Sequence, residues 1–244
     1  GMAAINLFYS RITELLGFTA LRHEGKITGL AAYVPPPAQL VEHFRKEVAF
    51  LHGKFRAMNP RAPAHRYDPF WSVVRDYSRE EVAAAAQRVL EEAVLAFVQH
   101  WIEHTAIRDV VVAGGIFANV KLNQRIAALP DLDSLWVMPH MGDGGLPVGA
   151  ALGSSDSPPT RMEHAYLGPA PSDDDCFRAL KRNQLNRNRE NVIERAAQLL
   201  SKGGVLARCA GGMEWGPRAL GNRSILATAE DPSINDTLNQ RLQR

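Results

Sequence analysis

Two stretches decide the fold class of this 244-residue chain: Val110-Val-Val-Ala-Gly-Gly-Ile-Phe-Ala-Asn119 and Leu135-Trp-Val-Met-Pro-His-Met-Gly-Asp-Gly-Gly145. Each opens with a short β-branched or aromatic run that suits a buried strand, and each continues into glycines. Between them, Val120–Leu129 has the pattern of a helix that Asn119 can cap. Alternating strands and helices predict an α/β fold with a parallel sheet.

Helices flank these two strands on both sides. Ser78-Arg-Glu-Glu81 has the capping-box pattern, and apolar residues then recur at steps of three and four until about Thr105. This predicts a long, core-packed helix. Pro147 suits the first turn of another helix that runs through Gly153.

Breaks in the pattern indicate two domains. Gly153 to Thr160 is a run of turn formers and helix breakers, and a second irregular stretch follows at 167–175. We therefore expect a first domain at residues 1–155, a linker at 156–175 and a second domain at 176–244.

Glycines stand at the carboxyl ends of both predicted strands, where ligands of α/β proteins bind. Gly114 and Gly115 let the backbone approach a ligand, and the N–H groups of the following helix start favour negative charge. Asp143 stands between Gly142 and Gly144, and its carboxylate suits a hard cation or the metal of a nucleotide. A plain tight turn and a helix-capping aspartate are the alternatives, but two such loops at successive strand ends favour a nucleotide site.

The segment from Cys176 to Arg244 has 12 basic and 6 acidic residues, an excess of 12 − 6 = 6. Within it, residues 211–224 combine four glycines with Glu214, Arg218 and Arg223. Arginine forks bind phosphate or carboxylate in bidentate fashion, so this cluster indicates an anion site. The alternatives are a solvated basic face and a structural loop with an ion pair between Glu214 and an arginine.

An earlier segment, Arg22 to Tyr33, mixes charged residues with glycines. Lys26 can contact a phosphate there, and Glu24 can contact a ribose or the lysine. The spacing fits an exposed loop equally well.

Composition excludes several classes of protein. With 45% apolar and 22% charged residues the chain is neither disordered nor fibrous. Two cysteines are too few for a disulfide scaffold, and without an apolar span or a basic leader we expect a cytoplasmic protein that binds no membrane. Aromatic residues are sparse in the basic segment, so we expect no nucleic-acid partner. His100 and His104 share a helix face but have no evident third ligand, which favours surface histidines over a metal site.

Four segments together resemble the O-carbamoyltransferases of the NodU/CmcH type, which include antibiotic- and nodulation-factor-modifying enzymes. They occur in the family's order and approximate spacing, and the last is the most specific. The segments are His23-Glu-Gly-Lys-Ile-Thr-Gly-Leu-Ala-Ala-Tyr33, Ala113-Gly-Gly-Ile-Phe-Ala-Asn119, Gly142-Asp-Gly-Gly145 with Gly149-Ala-Ala-Leu152, and Glu214-Trp-Gly-Pro-Arg-Ala-Leu-Gly-Asn-Arg-Ser-Ile-Leu226.

The resemblance implies a fold and a two-step reaction. Residues 1–155 would be the second part of an actin-like ATPase (ribonuclease H-like) domain, and residues 176–244 would begin an α/β adenylate-forming domain. ATP and carbamoyl phosphate would give carbamoyl adenylate and pyrophosphate in the second domain. The first domain, with a divalent metal (iron(II) or magnesium), would then pass the carbamoyl group to the hydroxyl of a small molecule.

The resemblance also implies roles for individual residues. Arg218 and Arg223 would act at the phosphate or adenylate site, and Glu214 would organise their loop. Asp143 would be a metal ligand. The residues expected at the bound nucleotide are Glu24, Lys26, Gly114, Gly115, Asn119, Gly142, Gly144 and Ser224.

Members of that family are longer than this chain. We therefore expect the opening lobe, with its pair of metal-binding histidines, to be absent and the second domain to be incomplete. Because a lobe is missing, we expect either a partner chain that supplies it or a homo-oligomer. Two other functions stay open: a truncated, non-catalytic nucleotide- or anion-binding protein, and a kinase or ATPase of the actin-like class.

Overall fold

The structure is a computed structural model that describes residues 3–55, 69–158, 162–188, 190–231 and 233–241. The chain divides into two compact units, which we call unit 1 (residues 1–146) and unit 2 (residues 147–244). Both units mix helices with short strands, which confirms the predicted α/β class. The predicted linker at 156–175 lies within unit 2, and the domain bounds stay a prediction.

Unit 1 is built around one long helix, α5 (Arg79–Thr105), against which the first three helices pack. Phe8, Ile27 and Phe44 come from those three helices and are completely buried. The rings of Phe8 and Phe44 meet edge to face, with their centroids 5.4 Å apart. The elements are α1 (Ala3–Leu15), α2 (Glu24–Leu30), α3 (Ala38–Arg45), β1 (Phe50–Leu51), β2 (Lys54–Phe55), α4 (Pro69–Ser72), α5 (Arg79–Thr105), β3 (Asp109–Val112), α6 (Val120–Ala127) and β4 (Ser134–Val137).

Helix α5 begins where the sequence predicts. The Ser78 hydroxyl accepts the Glu81 N–H at 3.2 Å, and the Glu81 carboxylate accepts the Ser78 N–H at 2.8 Å, which is a complete capping box. The helix ends at Thr105, and Ala106 adopts a left-handed conformation at its C-cap.

Strands β3 and β4 are parallel, as expected for a strand–helix–strand unit, and each begins one residue before its predicted start. One face of the pair packs on the core through residues such as Val112, which is 5% exposed. The other face carries Val111 and Trp136, which are paired across the sheet and are 70% and 38% exposed. Residues 24–30, for which a loop was an alternative, form helix α2.

Unit 2 has very little core among its described residues, of which only Ala165 is buried. Its antiparallel strands pair Leu206 with Leu226 and Cys209 with Arg223. None of the described helices of the chain is long and apolar enough to cross a bilayer. The elements are α7 (Leu146–Gly153), which starts at the unit boundary, α8 (Asp173–Arg182), α9 (Val192–Ser201), β5 (Leu206–Cys209), β6 (Arg223–Leu226) and α10 (Ile234–Arg241).

Candidate functional site

The two glycine loops of unit 1 contain short 3-10 turns at residues 115–118 and 143–145, in the segments that follow β3 and β4. The Gly114 N–H donates to the carbonyl oxygen of Met141 at 2.6 Å, which joins the start of one turn to the segment that leads into the other. Gly114 has φ +110°, a conformation that side chains with a Cβ rarely adopt. The two glycine loops therefore lie next to each other.

The backbone of these turns faces open space at three of the predicted nucleotide contacts. A Cβ placed on Gly114, Gly115 or Gly142 would meet no atom within 4 Å, and Asp143 is exposed. Gly144 differs, because its missing Cβ would lie 2.1 Å from the imidazole ring of His140. The two turns therefore expose backbone groups and the Asp143 carboxylate, whereas Gly144, which has no side chain, allows the backbone to pack closely against the His140 ring.

A network of buried polar side chains lies behind the first turn. Asn119 caps α6 by accepting the Leu122 N–H at 3.1 Å, as predicted, but its side chain is only 7% exposed. Its amide nitrogen donates to Gln87 on α5 at 2.8 Å, and the Gln87 nitrogen donates to Glu91 at 2.8 Å. The structure thus uses Asn119 to hold the turn against α5, and its contact with a nucleotide stays a prediction.

The same network reaches α1 and α2 through Tyr9. The Tyr9 hydroxyl donates to Gln87 at 2.7 Å and lies 3.2 Å from the Thr28 hydroxyl. Burial raises the pKa of Tyr9 far above its usual range, so this hydroxyl stays protonated. Glu91, which is 5% exposed, has the Arg125 guanidinium 4.0 Å from its carboxylate.

Glu24 and Lys26 lie on helix α2. The Glu24 carboxylate accepts the Ser10 hydroxyl at 2.9 Å and the Leu21 N–H at 2.5 Å, so it ties the start of α2 to α1. Lys26 lies over the ring of Phe18, with its ammonium 5.2 Å from the ring centroid. Their contact with a ribose or a phosphate stays a prediction.

The described part of the chain does not form a metal site by itself. No group of three or more His, Cys, Asp or Glu side chains in it could hold a metal ion. His100 and His104 stack their rings near the end of α5, with the ring centroids 6.0 Å apart, and their role as surface histidines stays a prediction. Asp143 as a metal ligand stays a prediction, and we assign no step to a metal.

In unit 2, the segment between β5 and β6 folds around the carboxylate of Glu214. One carboxylate oxygen accepts the backbone N–H groups of Leu220 at 2.9 Å, Asn222 at 2.7 Å and Arg223 at 3.1 Å. Desolvation opposes ionisation, but backbone hydrogen bonds outweigh it and lower the pKa of Glu214 to about 2. Glu214 therefore organises the loop through hydrogen bonds from backbone N–H groups.

Arg223 braces the same loop. Its guanidinium donates to the carbonyl oxygens of Ala210 at 2.8 Å, Asn222 at 3.1 Å, Gly211 at 3.2 Å and Pro169 at 3.3 Å. These bonds occupy both terminal nitrogens, so the structure shows Arg223 as a loop support. Its role at a phosphate stays a prediction.

Arg218 and Ser224 complete the predicted anion site. Both are half-buried, Arg218 within the loop and Ser224 on β6 directly after Arg223. The structure therefore brings Glu214, Arg218, Arg223 and Ser224 together in one loop and the strand that follows it.

Comparison with known proteins identifies the family. The sequence-family model named carbamoyltransferase N-terminus matches residues 2–152, and the family model named carbamoyltransferase C-terminus matches residues 197–244. The chain belongs to the carbamoyltransferase family.

Curated relatives agree with this assignment. An uncharacterised protein of Methanocaldococcus jannaschii is 35% identical over 99% of this carbamoyltransferase-family chain and 42% of its own length. Nodulation protein NolNO of Sinorhizobium fredii is 29% identical over 97% of the chain and 36% of its own length. Nodulation protein U of Rhizobium tropici is 33% identical over 69% of the chain and 30% of its own length. The chain thus spans less than half the length of these relatives.

Sequence reasoning missed residues that support the turns of unit 1 and others that support the loop of unit 2 in this carbamoyltransferase-family chain. Gln87 and Glu91 are polar residues four apart, on one face of a helix segment rich in alanine and valine, and that spacing was a readable signal. Arg208 on β5 contacts Gly221 and donates to the Asn222 side chain at 3.0 Å. Only the strand register, which places Arg208 opposite Ser224, reveals that contact.

Proposed function

We propose that the chain is part of an O-carbamoyltransferase that uses ATP and carbamoyl phosphate. Water first cleaves carbamoyl phosphate into carbamate and phosphate. A carbamate oxygen then attacks the α-phosphorus of ATP, which forms carbamoyl adenylate and releases pyrophosphate. Finally, the hydroxyl of a small molecule takes the carbamoyl group from carbamoyl adenylate and loses its proton, and AMP leaves.

The observation that carries this proposal is the pair of turns after β3 and β4. Their backbone faces open space at Gly114, Gly115 and Gly142, and a single hydrogen bond of 2.6 Å links the two segments. Backbone N–H groups at helix starts favour phosphate groups, so ATP fits this edge of the sheet. In line with this, we propose that unit 1 contains part of an actin-like ATPase domain.

The loop around Glu214 supports the adenylate-forming step. Arg218 stands within this hydrogen-bonded loop, and an arginine can stabilise the charge that develops on a leaving phosphate. We propose that Arg218 contacts the phosphates, with Ser224 nearby, and that Glu214 and Arg223 hold the loop in place.

We also propose a cytoplasmic location and a polypeptide partner. The exposed Val111 and Trp136 on the β3–β4 sheet favour burial against another chain, either a second copy or one that supplies the first lobe. Light scattering of the purified chain tests this proposal, and a clean monomer at high concentration would contradict self-association.

Pyrophosphate release tests the proposed function directly. The chain is incubated with magnesium, ATP labelled at the γ-phosphate, and carbamoyl phosphate. We expect pyrophosphate only when carbamoyl phosphate is present. Arg218→Ala should slow this release by roughly tenfold or more, because a charge-assisted contact is lost. Arg195→Ala on helix α9 is the matched control and should release pyrophosphate at the wild-type rate.

The other outcomes distinguish the alternatives. ATP that binds but stays intact would favour a non-catalytic nucleotide-binding protein. ADP together with a phosphorylated alcohol would indicate a kinase. Either result would overturn the carbamoyltransferase proposal for this chain.

A further inference from the structure

The side-chain amide of Gln87 can adopt only one orientation, because its partners have fixed polarity. The Glu91 carboxylate only accepts hydrogen bonds when ionised, so the Gln87 nitrogen must face it, at 2.8 Å. Asn119 is fixed in the same way, because its oxygen accepts the Leu122 N–H at 3.1 Å. The two amides therefore pair reciprocally, at 2.8 Å from Asn119 to Gln87 and at 3.2 Å from Gln87 to Asn119.

This amide pair connects α5 to both glycine turns. Asn119 ends the first turn, and its N–H donates to the Ile116 carbonyl at 3.1 Å. At the start of that turn, the Gly114 N–H donates to the Met141 carbonyl, and Met141 leads directly into the second turn. A continuous series of hydrogen bonds and one short backbone turn thus extends from Gln87 to Gly142.

We propose that Gln87 is a positioning residue that holds the turns at 114–119 and 142–145 in the geometry that binds a nucleotide. This inference rests on the proposed function. Gln87 is 6% exposed and lies among side chains, so it acts through Asn119 and does not touch the nucleotide itself. Asn119 transmits the constraint because it is both the N-cap of α6 and the end of the first turn.

Gln87→Leu tests the inference, since leucine keeps most of the volume and removes the amide. Two readouts are measured on the full chain: hydrogen exchange of the backbone amides at 114–119 and 141–145, and magnesium-ATP affinity by calorimetry. We expect faster exchange at both turns and ATP affinity weaker by roughly tenfold, a typical size for coupling through a packed network.

Thr13→Val is the matched control for general destabilisation. Thr13 is completely buried on α1, and its hydroxyl donates only to the Tyr9 carbonyl of the same helix, at 2.9 Å. Loss of the Thr13 hydroxyl removes a buried hydrogen bond that does not involve the two glycine turns. We expect both turns to exchange as in the wild type and ATP affinity to be unchanged.

Gln87→Glu adds a signature that a merely structural role would not produce. The groups that face position 87 are Glu91 on α5, Tyr9 on α1 and, beside Glu91, Arg125 on α6. An ionised glutamate there is repelled by Glu91, whereas a protonated one can donate one of the two hydrogen bonds that the amide donates. ATP affinity of this variant should therefore approach the wild-type value as the pH falls from about 8 to about 6.

The two readouts separate the inference from the function. If Gln87→Leu exchanges at both turns as the wild type does, the positioning role is wrong, whatever the ATP result. If exchange rises at the turns but the wild type binds no ATP, the structural link holds and the nucleotide function fails. Equal ATP affinity of wild type and Gln87→Leu would also overturn the inference.

Discussion

Gly145→Ala is the substitution that tests the second turn most sharply. A Cβ at this position would lie 2.2 Å from the carbonyl oxygen of His140, a backbone atom that cannot rotate away. Ordinary contacts between heavy atoms lie near 3.5 Å, so the turn has to move by about 1 Å. Overpacking of this kind costs about 1–3 kcal/mol of unfolding free energy.

Urea unfolding followed by circular dichroism measures that cost, and ATP titration measures its effect on binding. We expect a lower unfolding midpoint and weaker ATP binding, because Asp143 and Gly142 belong to the displaced turn. Gly149→Ala on helix α7 is the matched control, since its Cβ would meet nothing within 4 Å. It should raise stability by about 0.5–1 kcal/mol, the usual gain of alanine over glycine within a helix. An unchanged midpoint in Gly145→Ala would refute the close packing of this turn.

Three further predictions concern other parts of the chain. The pKa of Glu214 is lowered from 4.5 to about 2, so the ionised carboxylate stabilises the folded loop fully above about pH 4.5. This stabilisation is lost as the pH falls towards 2. In Glu214→Gln, the stability of the loop, measured by unfolding at each pH, should no longer depend on pH in this range. Ser78→Ala should lower the unfolding free energy by about 1 kcal/mol, measured by urea unfolding, whereas Ser78→Asp should retain most of it. Arg223→Lys should speed hydrogen exchange at residues 210–214, since one ammonium cannot replace the two terminal guanidinium nitrogens that hold four carbonyl oxygens.

Elements governed by local chemistry were predictable from the sequence. The capping box at Ser78, the Asn119 cap and the parallel strands β3 and β4 all follow from short-range patterns, and the structure confirms them. Strand starts were one residue late because Asp109 and Ser134 pair across the sheet despite their low strand propensity.

Long-range pairing was not predictable in the same way. The sequence separates Tyr9 from Gln87 by 78 positions, and no local pattern indicates that their side chains meet at 2.7 Å. Arg223 has the residue type of a phosphate ligand, but the fold surrounds its guanidinium with carbonyl oxygens from the loop and from Pro169. The residue types thus predicted which functional groups the candidate site contains. Only the fold shows which of these groups already form hydrogen bonds within the protein.

In the proposed function, the turns after β3 and β4 bind ATP, and hydrogen exchange with and without magnesium-ATP tests this binding most directly. We predict that ATP slows exchange of the backbone amides at 114–119 and 142–145, while amides in the β1–β2 hairpin of the same unit exchange at the same rate. Unchanged exchange at both turns under saturating ATP would contradict the account.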